Sequence, residues 1–472
     1  MVRSLALIAG PAAFVAFSLF QPASLGETAS CVAGLVVWMA VWWSTEAIPV
    51  PITALLPIIV LPPAGVSGIG AAAAPYAHPL IFLFLGGFLL AHGVQRWNLH
   101  RRIALALILR FGFRPRVLLA SFMAMTGFVS MWVSNTATAM LMLPIAISVT
   151  AEIRGNAASP DRRDAFTTAL LLGVAYGASI GGMATLIGTP PNALLAAFAQ
   201  ASLGIRIGFA EWMMIGLPVA ALLGTCAWFI LAYVAFRLPS NGDLGARERL
   251  QAGLASLGRR GSGETRVAIV FVLTAAAWIA QPLLRQLPGM HWLSDASIAL
   301  IGGSSLFVVS AGGERGEKLL DWSDAARLPW GTLILFGGGL SLAEAITRSG
   351  LAESIGNSLG VMSGWGAFAV VALIATIVVF LSEIASNTAA TSALLPITAA
   401  LAASLGIDPM LLMASTVLAA SCGFMLPVAT PPNAIVYATG NVAMVDMLRV
   451  GLLLNVAGIV VISLLLPLLI PG

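Results

Sequence analysis

Hydrophobic positions in this chain form long continuous runs separated by short polar stretches. A helix that crosses a bilayer needs roughly 20 mostly apolar residues. The runs close to that length predict spans at 5–20, 29–43, 46–62, 79–95, 211–236, 266–283, 294–310, 329–347 and 446–470. The first run resembles a signal peptide, but no small-residue cleavage site follows it, so we expect it to be the first span.

Four further apolar blocks are interrupted by polar motifs. Thr-Pro-Pro-Asn divides 165–200 and 410–440, and Ser-Asn-Thr divides 116–151 and 364–404. Proline removes a backbone donor and breaks a helix, so the first two blocks predict discontinuous spans. Together with the uninterrupted runs, they give about 11 transmembrane helices.

Clusters of arginine decide which side of the membrane each loop occupies, because Lys and Arg are retained in the cytoplasm. Both ends of 116–151 carry such clusters, so this block predicts a helical hairpin that enters from the cytoplasm. The same reasoning makes 364–404 a hairpin that enters from outside, with the N-terminus cytoplasmic and the C-terminus periplasmic or extracellular. The clusters are Arg96, Arg101, Arg102, Arg110, Arg114 and Arg116; Arg154, Arg162 and Arg163; and Arg237, Arg247, Arg249, Arg259, Arg260 and Arg266.

The composition excludes a soluble protein. Of the 472 residues, 59% are hydrophobic and 9% charged, whereas a soluble domain carries about 25% charged residues. Lipid must therefore cover most of the surface, which predicts an all-α polytopic membrane protein. We expect its location to be a bacterial inner membrane. The net charge of +4 matches cytoplasmic loops better than a nucleic-acid groove, so we expect no nucleic-acid partner. The three Cys and four His show no metal-ligand spacing, and we expect no organic cofactor.

The two halves of the chain repeat each other in sequence. An offset of 252 superposes Ser134-Asn135-Thr136 on Ser386-Asn387-Thr388, and an offset of 241 superposes Thr189-Pro190-Pro191-Asn192 on Thr430-Pro431-Pro432-Asn433. Because the hairpins are predicted to enter from opposite faces, the repeat is inverted. Inverted repeats with broken helices are typical of secondary transporters, whose sites lie near the midplane. We therefore divide the chain into an N-terminal half 1–236, a cytoplasmic linker 237–266 and a C-terminal half 267–472.

The motifs suit a small cation bound beside an anion. A broken helix presents free carbonyl groups at one end and free N–H groups at the other. The carbonyls favour a cation and the N–H groups an anion, while Ser, Thr and Asn side chains serve either partner. Two half-sites predict two sodium sites around a dianion, and bound sodium offsets charge that is costly in a membrane.

At these residues the chain resembles the divalent anion:sodium symporter family of the ion transporter superfamily. Its Thr45-Glu46-Ala47-Ile48-Pro49 segment is similar to an early segment of that family. The resemblance implies a homodimer in which a scaffold domain forms the interface and a transport domain holding the hairpins moves like an elevator. It also implies sodium-coupled symport of small dianions, above all the C4-dicarboxylates succinate, malate and fumarate. Sulfate, citrate or another oxyanion, and dicarboxylate exchange, remain alternatives.

The resemblance also implies specific site residues. The expected substrate-binding residues are Ser134, Asn135, Thr136, Thr189, Pro190, Ser386, Asn387, Thr388, Thr430 and Pro431. The expected sodium ligands are Ser130, Ser134, Asn135 and Gly188 in the first half and Ser382, Ser386, Asn387 and Ala429 in the second.

Other readings of the sequence point to different functions. Gly177-Ala178-Ser179-Ile180-Gly181 matches a nucleophile elbow, but that motif requires a strand and a His partner, so we expect no enzyme. A cation–proton antiporter needs buried acidic carriers, and only Glu383 is a serious candidate. Glu383 either tunes the adjacent sodium site or holds its hairpin to neighbouring elements. A structural role is favoured for Glu46. A passive membrane protein does not explain the paired motifs.

Overall fold

A computed structural model describes residues 2–22, 25–110, 112, 114–154, 165–238, 246–312, 316–358 and 364–470. Arg162 and Arg163 of the predicted cytoplasmic clusters lie outside these residues. The described residues are helical and contain no strand, which confirms the predicted fold class. Eight of their helices are long and apolar enough to cross a bilayer, and shorter apolar helices accompany them.

The N-terminal half begins with seven helices that precede the first hairpin. Their bounds are α1 Val2–Phe20, α2 Glu27–Thr45, α3 Val50–Thr53, α4 Leu56–Val60, α5 Ile69–Ala73, α6 Pro79–Arg96 and α7 Leu99–Ile108. The predicted span 46–62 is therefore two short helices, because Pro49, Pro51, Pro57 and Pro62 interrupt its backbone hydrogen bonding.

The remaining helices of the first half form the hairpin, the broken span and a long helix. They are α8 Pro115–Ser130, α9 Asn135–Arg154, α10 Ala165–Gly182, α11 Pro190–Leu203 and α12 Phe209–Phe229, which continues as a π-helix over Ile230–Ala235. The helix α13 Ala246–Ser256 then occupies part of the predicted linker. The linker is shorter than expected, because α14 already begins at Ser262.

The second half repeats this order. Its helices are α14 Ser262–Leu284, α15 Asp295–Ser305, α16 Trp322–Ala325, α17 Trp330–Arg348, α18 Leu351–Ser358, α19 Ala367–Ser382, α20 Asn387–Leu405, α21 Pro409–Ala420, α22 Pro431–Tyr437 and α23 Met444–Leu469. The predicted span 294–310 is helical only over Asp295–Ser305, and consecutive turns follow it. Shifted by the offset of 252, α8 coincides with α19 at both ends, which supports the repeat.

Each Ser-Asn-Thr motif lies at the tip of a helical hairpin. Four residues, 131–134 and 383–386, separate the paired helices. An arm of 16 residues such as α8 is about 24 Å long, which is less than the ~30 Å hydrocarbon thickness of a bilayer. The arm therefore ends inside the membrane, where its polar tip needs partners from the protein.

The helix α10 lies at the centre of the molecule and α14 at its edge. In α10, 94% of the apolar window is buried, compared with 22% in α14. The helix α10 packs against α8, α9, α12 and α22, so it contacts elements of both halves. Close approach to α8 requires small residues, because a Cβ atom at Gly181 would lie 2.2 Å from the carbonyl oxygen of Gly127. The first hairpin and the second half of the other broken span, α22, are thus held on one central helix.

Candidate functional site

One cavity of about 960 Å³ brings together motifs from both halves of the chain. All ten predicted substrate-binding residues line it: Ser134, Asn135, Thr136, Thr189, Pro190, Ser386, Asn387, Thr388, Thr430 and Pro431. Two predicted sodium ligands, Gly188 and Ala429, also line it. The remaining two predicted sodium ligands, Ser130 and Ser382, do not line the cavity and are fully buried. Hairpin tips and helix breaks that are hundreds of residues apart therefore form one surface.

In the first half, oxygen atoms converge behind the tip. The Oγ atom of Ser130 lies 2.7 Å from Oδ1 of Asn135 and 2.6 Å from the carbonyl oxygen of Ala178. Gly182 packs directly on the amide of Asn135, because a Cβ atom there would lie 2.5 Å from Oδ1. Gly188 packs in turn on Gly182, since its own Cβ would lie 2.5 Å from the carbonyl oxygen of Gly182. Such a group of neutral oxygens has the chemistry that a small hard cation prefers.

The break between α10 and α11 is held open by two side chains. The Nδ2 group of Asn192 donates to the carbonyl oxygens of Gly182, Met183 and Thr185 at 3.0, 3.2 and 2.7 Å. The hydroxyl of Thr185 donates to the carbonyl oxygen of Met131 at 2.5 Å and accepts the Gly188 N–H at 3.1 Å. These bonds satisfy backbone groups that a broken helix leaves free. They also fix the break against the hairpin tip.

The second half has the same frame with different hydrogen bonds. The Nδ2 group of Asn433 donates to the carbonyl oxygens of Gly423 and Leu426 at 3.1 and 3.0 Å. A Cβ atom at Gly423 would lie 3.1 Å from Cβ of Ala429 and 3.4 Å from the carbonyl oxygen of Ser382. The predicted ligands Ser382 and Ala429 are therefore neighbours across Gly423, as Asn135 and Gly188 are across Gly182.

Two side chains distinguish the second half-site from the first. The hydroxyl of Ser382 donates within its own helix to the carbonyl oxygen of Val379 at 2.8 Å. The Oδ1 atom of Asn387 is buried and has no hydrogen-bond partner among the described residues. A buried acceptor without a donor is costly unless a ligand satisfies it. Asn387 therefore presents an oxygen at the place where a cation ligand is expected.

Glu383 holds the second break in position. Its Oε1 atom accepts the N–H groups of Phe424 and Met425 at 2.8 and 2.9 Å, and its Oε2 atom accepts the N–H of Leu426 at 2.9 Å. Asn455 of α23 donates to Oε1 at 2.7 Å. These contacts show the second of the two roles considered for Glu383, a link between hairpin, break and α23. In the first half Met131 occupies the corresponding position, and Thr185 makes the link instead.

Part of the cavity lining comes from segments outside the hairpins and the broken spans. It consists of Trp43, Ser44, Thr45, Glu46, Phe84, Phe88, Pro329 and Thr332. None of the described residues that line the cavity is Lys, Arg or His. An anion in this cavity must therefore be stabilised by helix N-termini, hydroxyl and amide groups and any bound cation.

Sequence reasoning missed several residues of the site. It did not assign Ala178, Gly182 or Thr185 a ligand or positioning role, and it gave Glu46 a structural one. The sequence did contain a signal for these positions. A glycine precedes each break, and Gly182 and Gly423 are related by the same offset of 241 as the Thr-Pro-Pro-Asn motifs. The nucleophile-elbow match lies inside the helix α10, where Gly177 and Gly181 pack on α8. No cluster of metal-binding side chains occurs among the described residues.

Discontinuous helices, paired hairpins and a shared cavity that both sets of polar motifs line define a membrane carrier of the secondary-transporter class. The match to the family model "Sodium:sulfate symporter transmembrane region" covers residues 2–469. The chain therefore belongs to the sodium:sulfate symporter family, the divalent anion:sodium symporters that its motifs resemble.

Curated relatives and a solved structure agree with this assignment. The chain is 41% identical to the sodium-dependent dicarboxylate transporter SdcS of Staphylococcus saprophyticus, over 98% of this chain and 91% of that protein. It is 39% identical to SdcS of Staphylococcus aureus strain USA300, over 97% and 89%. The crystal structure of the YdaH transporter of Alcanivorax borkumensis aligns with a TM-score of 0.61 at 15% identity, over 94% of this chain and 98% of that one, which shows a shared fold.

Proposed function

We propose that this protein is a sodium-coupled symporter of C4-dicarboxylates such as succinate, malate and fumarate. The observation that carries the proposal is a single cavity lined by both Ser-Asn-Thr tips and both Thr-Pro-Pro-Asn breaks, without a cationic side chain among its described lining residues. Two sodium ions supply the missing positive charge. The relatives named sodium-dependent dicarboxylate transporters support the same substrate and coupling ion.

The proposed sodium sites follow the two half-sites. Ser130, Ser134, Asn135 and the Gly188 carbonyl form the first, and Ser382, Ser386, Asn387 and the Ala429 carbonyl form the second. The substrate carboxylates bind at the tips between them, beside Thr189, Pro190, Thr430 and Pro431. The protein acts as a carrier without enzymatic activity.

The proposed mechanism is elevator-type alternating access. Helices α8–α12 and α19–α23 form the transport domain, and the remaining membrane helices form the scaffold and the interface of a homodimer. The halves 1–236 and 267–472 have opposite orientation around the linker 237–266. The protein lies in the bacterial inner membrane with the N-terminus in the cytoplasm and the C-terminus outside, as the arginine clusters indicate.

Sulfate is the second candidate substrate, because the family model is named for sodium:sulfate symport. A cavity of about 960 Å³ is large for sulfate and leaves room for a dicarboxylate. Citrate, another oxyanion or dicarboxylate exchange in place of symport would use the same site.

Uptake by proteoliposomes tests the proposal. Purified protein should accumulate labelled succinate when an inward sodium gradient is present and lose this uptake when potassium replaces sodium. Asn135→Ala and Asn387→Ala should each abolish uptake, and Ser179→Ala, a buried change outside the cavity, should not. Uptake that is indifferent to sodium would refute symport, and dependence on internal substrate would establish exchange.

A further inference from the structure

A second cavity, of about 480 Å³, lies where α12 and α15 begin and α14 ends. We propose that this cavity binds the headgroup of a zwitterionic phospholipid that carries a primary ammonium group, such as phosphatidylethanolamine. The proposal goes beyond the transported substrate and does not depend on it. The cavity is lined by side chains of both charges and by a histidine: Arg206, Glu211, Arg285, His291 and Asp295.

The cavity lies at the depth of lipid headgroups. The helix α14 has 23 residues and is about 35 Å long, slightly more than the ~30 Å hydrocarbon thickness of a bilayer. Arg285 directly follows this helix, so it lies near the membrane surface. The nearby apolar side chains of Leu283 and Trp292 are 69% and 60% exposed, and tryptophan is enriched at this depth. A lipid can therefore lay its acyl chains along the end of α14 and place its headgroup in the cavity.

The two carboxylates of the cavity are neighbours and lack a donor. A Cβ atom at Gly208 would lie 3.5 Å from Oε2 of Glu211 and 3.6 Å from Oδ2 of Asp295. The Oδ2 atom of Asp295 accepts the N–H group of Phe209 at 3.0 Å. Its Oδ1 atom is buried and has no hydrogen-bond partner among the described residues. A buried acceptor without a donor is costly, and an ammonium group would supply that donor beside a second negative charge.

The two arginines of the cavity have the opposite requirement. Arg206 and Arg285 both act electrostatically on Asp295. Neither guanidinium group forms a hydrogen bond or a close ion pair within the part of the chain that the structure describes. A guanidinium group presents a planar fork of N–H donors that matches the oxygens of a phosphate. Basic pockets between membrane helices are a common basis of lipid headgroup recognition.

The two requirements together select a ligand that carries both charges. An anion alone would meet the carboxylates of Glu211 and Asp295, and a cation alone would meet the two guanidinium groups. A phosphoethanolamine group offers its phosphate to the arginines and its ammonium to the carboxylates. A choline headgroup has the same charges, but its quaternary nitrogen has no N–H to donate to Oδ1 of Asp295, and a glycerol headgroup has no positive charge.

Native mass spectrometry tests this ranking. The purified, delipidated protein in detergent is titrated with dioleoyl phosphatidylethanolamine, phosphatidylcholine or phosphatidylglycerol, which share their acyl chains. We expect phosphatidylethanolamine to bind about 3- to 10-fold more tightly than the other two. Arg285→Gln should weaken binding of phosphatidylethanolamine and phosphatidylglycerol alike, because both carry the phosphate. Glu211→Gln should weaken phosphatidylethanolamine about three- to fivefold and leave phosphatidylglycerol equal or stronger, because only the former carries an ammonium group.

Two exposed residues outside the cavity provide matched controls. Glu27→Gln removes a carboxylate at the start of α2, and Arg327→Gln removes a guanidinium group after α16, so both should keep the wild-type ranking. Equal binding of the three lipids by the wild-type protein would overturn the proposal, and so would an unchanged ranking in both cavity variants. If soluble O-phosphoethanolamine raised the melting temperature as much as the lipid does, a lipid would be refuted as the source of the group. Binding is measured without transport, so a failure of sodium-driven succinate uptake would refute only the proposed function.

Discussion

Gly182 offers the sharpest test of the proposed sodium site. A Cβ atom at this position would lie 2.5 Å from Oδ1 of Asn135 and 3.2 Å from its Cγ and Nδ2 atoms. Ordinary contacts of a Cβ atom are about 3.4 Å or longer, so Gly182→Ala must push the amide away by roughly 0.5–0.9 Å. Metal–ligand distances tolerate about 0.2 Å, which means that this displacement removes Asn135 from the coordination sphere.

The magnitude follows from the cost of overpacking. Inserting a methyl group into a filled site typically costs about 1–3 kcal/mol, which corresponds to about 5- to 150-fold in affinity. We therefore expect Gly182→Ala to lower the apparent sodium affinity of succinate uptake by about 10-fold or more. The assay is the sodium dependence of uptake by proteoliposomes, accompanied by the sodium-induced shift in melting temperature of the purified protein in detergent.

Two other glycines provide graded controls. At Gly423, in the second half-site, a Cβ atom would lie 3.1 Å from Cβ of Ala429, so Gly423→Ala should have a smaller effect. At Gly224 of α12 the nearest atom would be 3.9 Å away, and Gly224→Ala should behave as wild type. A Gly182→Ala protein with wild-type sodium dependence would refute the proposal that Asn135 is a sodium ligand.

Three further predictions follow from the hydrogen bonds and ion pairs. Glu383→Gln removes one acceptor oxygen and the charge that four donors share, so it should destabilise the protein by about 1.5–3 kcal/mol. The measurement is a lower melting temperature. An unchanged melting temperature would show that other contacts hold the break. Ser179→Ala removes a buried hydroxyl that has no hydrogen-bond partner in the described part of the chain, so stability should be equal or higher and uptake intact. Lost uptake would point to a direct role of this hydroxyl. Hydrogen bonds from Ser323 and Arg96 lower the pKa of the Asp321 carboxyl, which lies outside the membrane spans, to about 2. The stabilising contribution of the ionised Asp321 is therefore present above the ordinary carboxyl pKa and is lost only as the pH falls towards 2. The effect of Asp321→Asn on the melting temperature should accordingly be constant from about pH 5 to 8. A trend of this effect with pH within that window would contradict the prediction.

The sequence by itself determined the features that depend on local chemistry. The ends of both hairpin arms follow from the Ser-Asn-Thr motifs, and the breaks in two spans follow from Thr-Pro-Pro-Asn, because proline lacks the N–H group that a helix requires. The repeat offsets located the corresponding residues of the second half. The hydrophobic runs were less reliable as predictors of helix length. Of the predicted span 294–310, only Asp295–Ser305 is helical.

Only the tertiary structure decided which groups meet. Glu383 accepts N–H groups more than 40 positions away along the chain, and Ser130 contacts the carbonyl oxygen of Ala178. Gly182 packs on Asn135, and Glu46, directly after the end of α2, lines the same cavity. Helix periodicity and motif spacing carry no information about such contacts, because they depend on how α10 and its neighbours pack together. The chemistry of the motifs could therefore be predicted from the sequence, whereas the contacts that complete the site depend on the tertiary structure.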